Sequence, residues 1–531
     1  MNLFCFSFYL IFIMDHFALA QTPSSKLEEY KKEIIEEIDA LSKMAQEMVD
    51  SVYSFGELGF QELETSKYLT EQLEKNGFVV EKGVAGIPTA WVAKWGSGKP
   101  IIALGSDIDG IPQSSQKPGV AYHDPIITGA PGHGEGHNTG MPLNILAAIA
   151  VKKIMVRDKL PGTIMLWPGV AEELVASKAW FVRDGIFKGV DAVLFTHVSS
   201  SFRVGWGEQP VTGLVSVEYT FNGETAHSAG KPWLGRSALD AVELMSVGWQ
   251  YRREHLRLSH RSHHIITNGG DQPNVVPKNA SIWFYFRELD YPNIKRLWEI
   301  GDSIAKGAAE MTNTSMSSKI LGTAYPQHMN KIIAQVMYEN IKIVGMPKWS
   351  EEDKSLASAL QRELGNEKLE ELETNVKEMV APNPEKASSG GASDDIGDVT
   401  WNYPTVTLWY PANIGGLPGH HWANAVASAT PIAHKGVIAG AKAQAMTILD
   451  LLIKPELIKE AWDYFKNVQT KEIKYIPLIA ADTPPPIHMN KKVFEEYREK
   501  MRPYYYDPSK YNSYLEQLGI KYPTIRVKKR K

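Results

Sequence analysis

The segment Gly132-His133-Gly134-Glu135-Gly136-His137-Asn138 puts three possible metal donors two residues apart, with glycines between them. In an extended segment residues i and i+2 point the same way, and glycine lets the backbone bend closely around an ion. Carboxylate and imidazole together suit zinc or manganese. Three other short segments carry most of the remaining signal. Asp107 and Asp109 follow the apolar run Ile101-Ile102-Ala103-Leu104, Glu172 and Glu173 follow residues 163–167 by a Pro168-Gly169 turn, and His197 closes residues 192–196. Near the far end, Gly419-His420-His421-Trp422 offers a further imidazole. Taken singly, a Glu pair is usually a solvated face and a strand-end His a structural residue. Together they can converge on one site, because ligands of open α/β sheets bind at the carboxyl ends of strands.

Strands and helices must bring these segments together. Short apolar runs at residues 101–104, 163–167, 192–196 and 406–410 alternate with helical stretches, which predicts an α/β fold with a mixed, largely parallel sheet. Leu27, Tyr30, Ile34, Ile38, Leu41, Met48 and Val52 recur at helical spacing. A second helix is expected over residues 62–76, stopping at Gly77, and another starting near Asn144. Residues 210–326 have a different rhythm. Val215, Val217, Tyr219 and Phe221 alternate with polar residues, as in a half-exposed strand. Helices over residues 237–254 and 293–311 and strands at 264–267, 281–287 and 316–321 complete a βαββαβ order, a ferredoxin-like domain inserted into the first. The expected division is therefore a catalytic domain of residues 21–209 and 327–453, an inserted domain of 210–326 and a C-terminal extension of 454–531. The extension contains Pro484-Pro485-Pro486 and Tyr504-Tyr505-Tyr506, to which no chemistry attaches.

Composition is that of an ordinary globular protein: 531 residues, 43% hydrophobic, 22% charged and a net charge of −4. Nothing in that balance points to a nucleic-acid or bulk membrane partner, and the basic residues 526–531 read as a solvated tail. The apolar run LFCFSFYLIFI at residues 3–13 is too short to span a membrane and is followed by Ala18-Leu19-Ala20. A signal peptide over residues 1–20 and export of the mature chain are expected. The only cysteine, Cys5, lies in that leader, and a chain without thiols suits an oxidising compartment.

The order Asp-x-Asp, Gly-His-x-x-Gly-His-Asn, Glu-Glu, strand-end His and late Pro-x-His resembles the aminoacylase/carboxypeptidase family of co-catalytic metallo-amidohydrolases, in particular its aminobenzoyl-glutamate hydrolase branch. The likeness runs from about Ser51 to Asp450 and includes Gly56-Glu57-Leu58-Gly59-Phe60-Gln61-Glu62, Gly223-Glu224-Thr225-Ala226-His227-Ser228, Asn274-Val275-Val276-Pro277 and Ser393-Asp394-Asp395-Ile396-Gly397-Asp398-Val399. By matching position it implies Glu135, His137, Glu173, His197 and His420 as ligands of two divalent metal ions, zinc or manganese. It implies Glu172 as general base and His227 as a histidine reaching a neighbouring subunit's site. One departure stands out: this branch carries cysteine where Glu135 stands. Other branches bridge their two metals with a carboxylate, a role that suits Glu135, with His133 as a lesser substitute.

The implied activity is hydrolysis of an N-acyl or N-aroyl amino acid, with Asn274 and Arg287 on the inserted domain as candidates to hold the substrate's carboxylate. A dipeptidase or N-carbamoyl hydrolase on the same scaffold is the alternative, and a non-catalytic binding protein is the rival of another class. Retention of Glu172, three imidazoles and His227 speaks against the last. A homodimer paired through the inserted domain is expected, with the strand of Val215, Val217 and Tyr219 offering an edge and a face.

Overall fold

The computed structural model describes residues 23–382 and 392–526. The leader at residues 1–20 and the last residues of the basic tail lie outside the described residues. In chain order the strands begin with β1 (Val79–Lys82), β2 (Trp91–Ser97), β3 (Ile101–Asp107), β4 (Gly162–Gly169), β5 (Ala192–Ser199) and β6 (Arg203–Val204). They continue with β7 (Gly207–Glu208), β8 (Gly213–Asn222), β9 (Arg261–Asn268), β10 (Asn279–Glu288), β11 (Ser315–Ala324), β12 (His328–Met329) and β13 (Thr405–Pro411).

Seven strands form one sheet in the order β1-β2-β4-β3-β5-β13-β6. The central four, β4, β3, β5 and β13, are mutually parallel, and the flanking strands run antiparallel. Every residue of β4 is buried, as expected of a strand covered on both faces. The helices Gly140–Asp158 and Pro431–Ile453, apolar nearly all round, pack together in this core. Both are long and apolar enough to cross a membrane, but 78% and 83% of their apolar windows are buried within the protein.

The second sheet is antiparallel, in the order β11-β8-β10-β9, which is the ferredoxin-like arrangement expected of the βαββαβ segment. Helix Ala238–Arg253 starts where Ser237 caps the Asp240 N–H, and helix Tyr291–Thr312 where Asp290 caps the Asn293 N–H. Both cover one face, over Val217, Tyr219, Phe221, Phe284 and Phe286, with Trp249 of the first helix packed among them. This corrects the expectation for Val215, Val217 and Tyr219. Their alternation does mark one face of a strand, but that face lies under the two helices and β8 sits between β11 and β10. The free edge is β9, where Ile265 and Ile266 are 57% and 48% exposed. The two chain crossings between the sheets pair with each other: His328 and Met329 of β12 face Glu208 and Gly207 of β7.

The expected first helical stretch is two helices, Pro23–Ala40 and Ser42–Phe55, with Leu41 between them. The helix expected near Asn144 begins at Gly140, and β1 and β2 were not foreseen. The C-terminal extension lies against the larger body. Ala461 joins the main core, and the Gln61 side chain donates to the carbonyls of Ile487 and Met489. Tyr506 N–H reaches Ser54 Oγ at 3.0 Å, and Tyr514 N–H reaches Asp50 at 2.9 Å.

Candidate active site

The glycine-rich segment, the three strand-end segments and the late histidine converge at the carboxyl ends of β3, β4, β5 and β13. Gly136 has φ of 112°, a left-handed conformation that glycine adopts freely, and this turns Glu135 and His137 towards each other. Glu135 Oε2 lies 3.8 Å from His137 Nε2 and 3.3 Å from His420 Nε2, while Glu135 Oε1 lies 3.6 Å from His197 Nε2. His420 Nε2 also stands 3.2 Å from Glu173 Oε2. One carboxylate thus faces three imidazoles drawn from three separate segments.

The supports are as specific. His137 Nδ1 is 3.2 Å from the Asp109 carbonyl, so its Nε2 is the nitrogen left towards the cluster. His197 likewise uses Nδ1 on the Val198 carbonyl at 2.9 Å. Asp109 Oδ2 accepts from Glu173 N–H at 3.1 Å, fixing the turn that carries both glutamates. Glu172 is buried beside Asp107 and Asp394, with donor oxygens within 4.8 Å of one another. Such outer contacts are the usual means of orienting ligand groups.

The charge balance is uneven. Burial pushes the Glu173 carboxyl well above the usual range, and the Glu135 charge adds to it. Burial, Asp107 and Asp394 do the same to Glu172. Burial opposes ionisation of Glu135, but His420, His137 and His197 overcome it and hold its carboxyl below the usual range. The His137 imidazole is raised despite burial, by Asp109 and Glu135, while burial lowers His197. Among the described residues, His137 Nε2 and Glu173 Oε1 are buried without a hydrogen-bond partner. Crowded carboxylates, bare imidazole nitrogens and an orphan carboxylate oxygen fit a pair of divalent cations with oxygen and nitrogen ligands. A recess of about 150 Å³, lined by Glu135, Ser199, Ser200, Asn413, His420 and Asn424, opens beside them. A larger cleft of about 850 Å³ at the seam of the two sheets, lined by Arg203, Trp206, Tyr325 and Trp401, includes none of the clustered donors.

His133 does not join the cluster. Its Nε2 is 3.0 Å from the Val52 carbonyl, and burial lowers the ring to about 3. His227 and Asn274 lie side by side on exposed loops of the inserted domain, Ser228 N–H donating to the Asn274 carbonyl. His227 Nδ1 accepts from Ala229 and Gly230 N–H, and neither residue meets the cluster within the chain. Arg287 is closer. Its guanidinium contacts His263 and Ser393, Tyr285 lies beneath it, and no carboxylate pairs with it among the described residues. Sequence reasoning missed Lys178. This fully buried ammonium bonds Asp107 at 2.7 Å, Asp394 at 3.4 Å and Asp395. Burial alone would lower it, but those three carboxylates outweigh burial and hold it well above its usual value. The available signal was a single lysine within the apolar run Val175-Ala176-Ser177-Lys178-Ala179-Trp180.

No family model matches the chain. The chain is 31% identical over 482 residues to a p-aminobenzoyl-glutamate hydrolase chain of Escherichia coli (strain K12), covering 87% of this chain and 100% of that protein. It is 25% identical over 452 residues to Xaa-Arg dipeptidase of Mus musculus, covering 83% and 94%. Among solved structures it resembles the aminobenzoyl-glutamate utilization protein from Klebsiella pneumoniae, with a TM-score of 0.54, 16% identity and coverage of 81% and 98%. The YXEP protein of Bacillus subtilis, a dinuclear metal binding peptidase from the M20 family, gives 0.50 at 17% identity, covering 78% and 99%. The chain belongs to the M20-type family of metallopeptidases and amidohydrolases. It is a metal-dependent hydrolase of that family.

Proposed function

We propose that this hydrolase cleaves the amide bond of an N-acyl or N-aroyl amino acid of the aminobenzoyl-glutamate kind. In this reading Glu135, His137, Glu173, His197 and His420 would hold two divalent ions, zinc or manganese, and the two oxygens of Glu135, which face three imidazoles, would suit a shared ligand. The observation that carries it is the meeting of those five side chains from four segments, with the buried Glu172 carboxylate grouped against Glu135, His137 and Glu173 on one side and Asp107 and Asp394 on the other. Lewis-acid polarisation of the carbonyl and acidification of the attacking water are what divalent ions supply in such sites. The Glu172 carboxylate takes the proton from that water and delivers it to the amide nitrogen as the C–N bond breaks, releasing a carboxylic acid and an amine. A carboxyl raised by burial suits both halves of that transfer. Arg287, a half-buried cation with no carboxylate partner among the described residues, suits the carboxylate of the substrate's amino-acid half.

His227 completes the site from a second subunit in this proposal. Its exposed ring and Asn274 lie away from their own chain's cluster, and an apolar surface for pairing lies on the same domain. Val247 and Tyr251 on helix Ala238–Arg253 are 49% and 77% exposed, next to the free edge of β9. Export is proposed on the leader sequence alone, and N-terminal sequencing of native protein should find Gln21 first.

The decisive experiment is a hydrolysis screen of aminobenzoyl-glutamate, indoleacetyl-amino acids and dipeptides, using protein loaded with manganese or zinc. Turnover of the first two groups supports the reading. Turnover of dipeptides alone replaces it with the dipeptidase reading, which similarity to the Xaa-Arg dipeptidases favours.

A further inference from the structure

The turn that presents Glu172 and Glu173 is strained. Ala171 has φ of 51° and Val175 φ of 48°, so two non-glycine residues, one β-branched, sit in the left-handed region on either side of the pair. Such a conformation persists only where its surroundings over-determine it. Two holds come from the larger body: Glu62 accepts from Ala171 N–H at 2.8 Å and Asp109 from Glu173 N–H at 3.1 Å.

The third hold comes from the inserted domain. β11 is the outer strand of its sheet, so one row of its backbone groups is not used by β8. From that row Thr323 N–H donates to the Val175 carbonyl at 2.8 Å. The ladder between β11 and β8 slips between Ile320 and Gly322, making Leu321 the extra residue of a bulge, and a bulge bends its strand. Gly322 then lies so close to the turn that a side-chain carbon there would overlap the Leu174 carbonyl and come within 2.7 Å of the Val175 carbonyl. Val175 is itself packed with Leu214 and Ala324 of the inserted domain.

We infer that Gly322 and Thr323 are positioning residues for the two glutamates: the inserted domain fixes the catalytic turn through one backbone hydrogen bond and one contact that only glycine permits. Movement of that domain therefore carries Glu172 and Glu173 with it. The inference rests on the proposed function only where turnover is read, because the hold itself is structural.

The test is Gly322→Ala in the full-length protein, with Gly307→Ala as control, since Gly307 lies in the same domain with open space around it. Hydrogen exchange of residues 171–176 should quicken about tenfold or more in Gly322→Ala, with helix Pro431–Ile453 and the control unchanged. On the substrate found in the screen, kcat should fall by about 10²-fold with KM nearly constant, as expected when reacting groups are misplaced by about 1 Å. A folded Gly322→Ala protein with native exchange in the turn and native kcat overturns the inference. Should that variant not fold, wild-type protein decides: the Thr323 amide faces away from its own sheet, and exchange as fast as a free edge amide would refute the contact. Protection of that amide in a protein that hydrolyses nothing would defeat the substrate reading and leave the inference standing.

Discussion

Replacing Lys178 by methionine removes an ammonium from a pocket where it is fully buried between Asp107 and Asp395. Burial pushes the Asp107 carboxyl up against the pull of Lys178, but at 2.7 Å from an ammonium that three carboxylates keep protonated, the pair is charged. Without Lys178 the two aspartates fare differently. Asp395 still accepts from Ser177 N–H at 3.2 Å and Lys178 N–H at 3.0 Å, which the substitution retains. Asp107 keeps an Oδ2 with no hydrogen-bond partner among the described residues, so it is the group that must take up a proton. Holding a carboxyl of ordinary value 3.8 neutral at pH 7 costs about 4 kcal/mol, in line with the roughly 3–5 kcal/mol of a broken buried pair. The sign follows from a folded value raised above the unfolded one. The stability left to the variant is greatest below 3.8 and is lost as pH rises, so the loss should be about 2 kcal/mol at pH 5 and about 6 kcal/mol at pH 8. Urea unfolding of metal-free protein across that range measures it, and Lys178→Met with Asp107→Asn should regain most of the difference. Equal losses at pH 5 and pH 8, or a loss below about 1 kcal/mol, would refute the reasoning.

Glu172→Gln should lower turnover by about 10²–10⁴-fold with metal content unchanged, whereas Glu135→Gln should lose metal and turnover together. Elemental analysis beside kinetics separates the two, and a Glu135→Gln protein that keeps both would discard the ligand role of Glu135. Mixing inactive Glu172→Gln and His227→Ala chains under exchange conditions should regenerate activity, because one site of a mixed dimer then has both groups intact. No recovery from exchanged subunits would place His227 outside the site. The buried Asp398 carboxyl, pushed up to about 7 by burial against the Tyr475 hydrogen bond, stabilises the fold most below 3.8 and loses that contribution as pH rises through 7. Wild type should therefore lose about 4 kcal/mol more between pH 4 and pH 8 than Asp398→Asn does, and parallel curves would count against this.

Much of this was legible in the chain because the relevant signals are local. The buried runs that became β3, β4, β5 and β13 are apolar throughout, and the βαββαβ rhythm of residues 213–324 alternates clearly. Glu135, His137, Glu173, His197 and His420 were found from type, spacing and family likeness, and the structure brings them together. What stayed hidden depends on tertiary contact. The β1 edge is mostly exposed, so Val79-Val80-Glu81-Lys82 carries no buried pattern. His133 has the same spacing as its neighbours, but the Val52 carbonyl claims it. Lys178 reads as an ordinary surface residue until Asp107 and Asp395, from distant parts of the chain, close around it.

The pairing of β7 with β12 has a consequence for how such a molecule can be assembled over time. The chain leaves the larger body at Gly207-Glu208 and returns at His328-Met329, and these residues face each other across one antiparallel ladder. Facing residues in such a ladder lie about 5 Å apart, little more than one residue's length of chain. The whole insertion therefore hangs from a single stalk, and a short turn could close the gap it would leave. A module joined in this way can be gained, exchanged or deleted in one genetic event without re-threading the sheet that carries the metal-binding side chains. The hydrogen bond from Thr323 to the catalytic turn, the packing of Leu214 and Ala324 on Val175 and the bond from Arg287 to Ser393 are then among the contacts that a newly acquired module would have to build afresh.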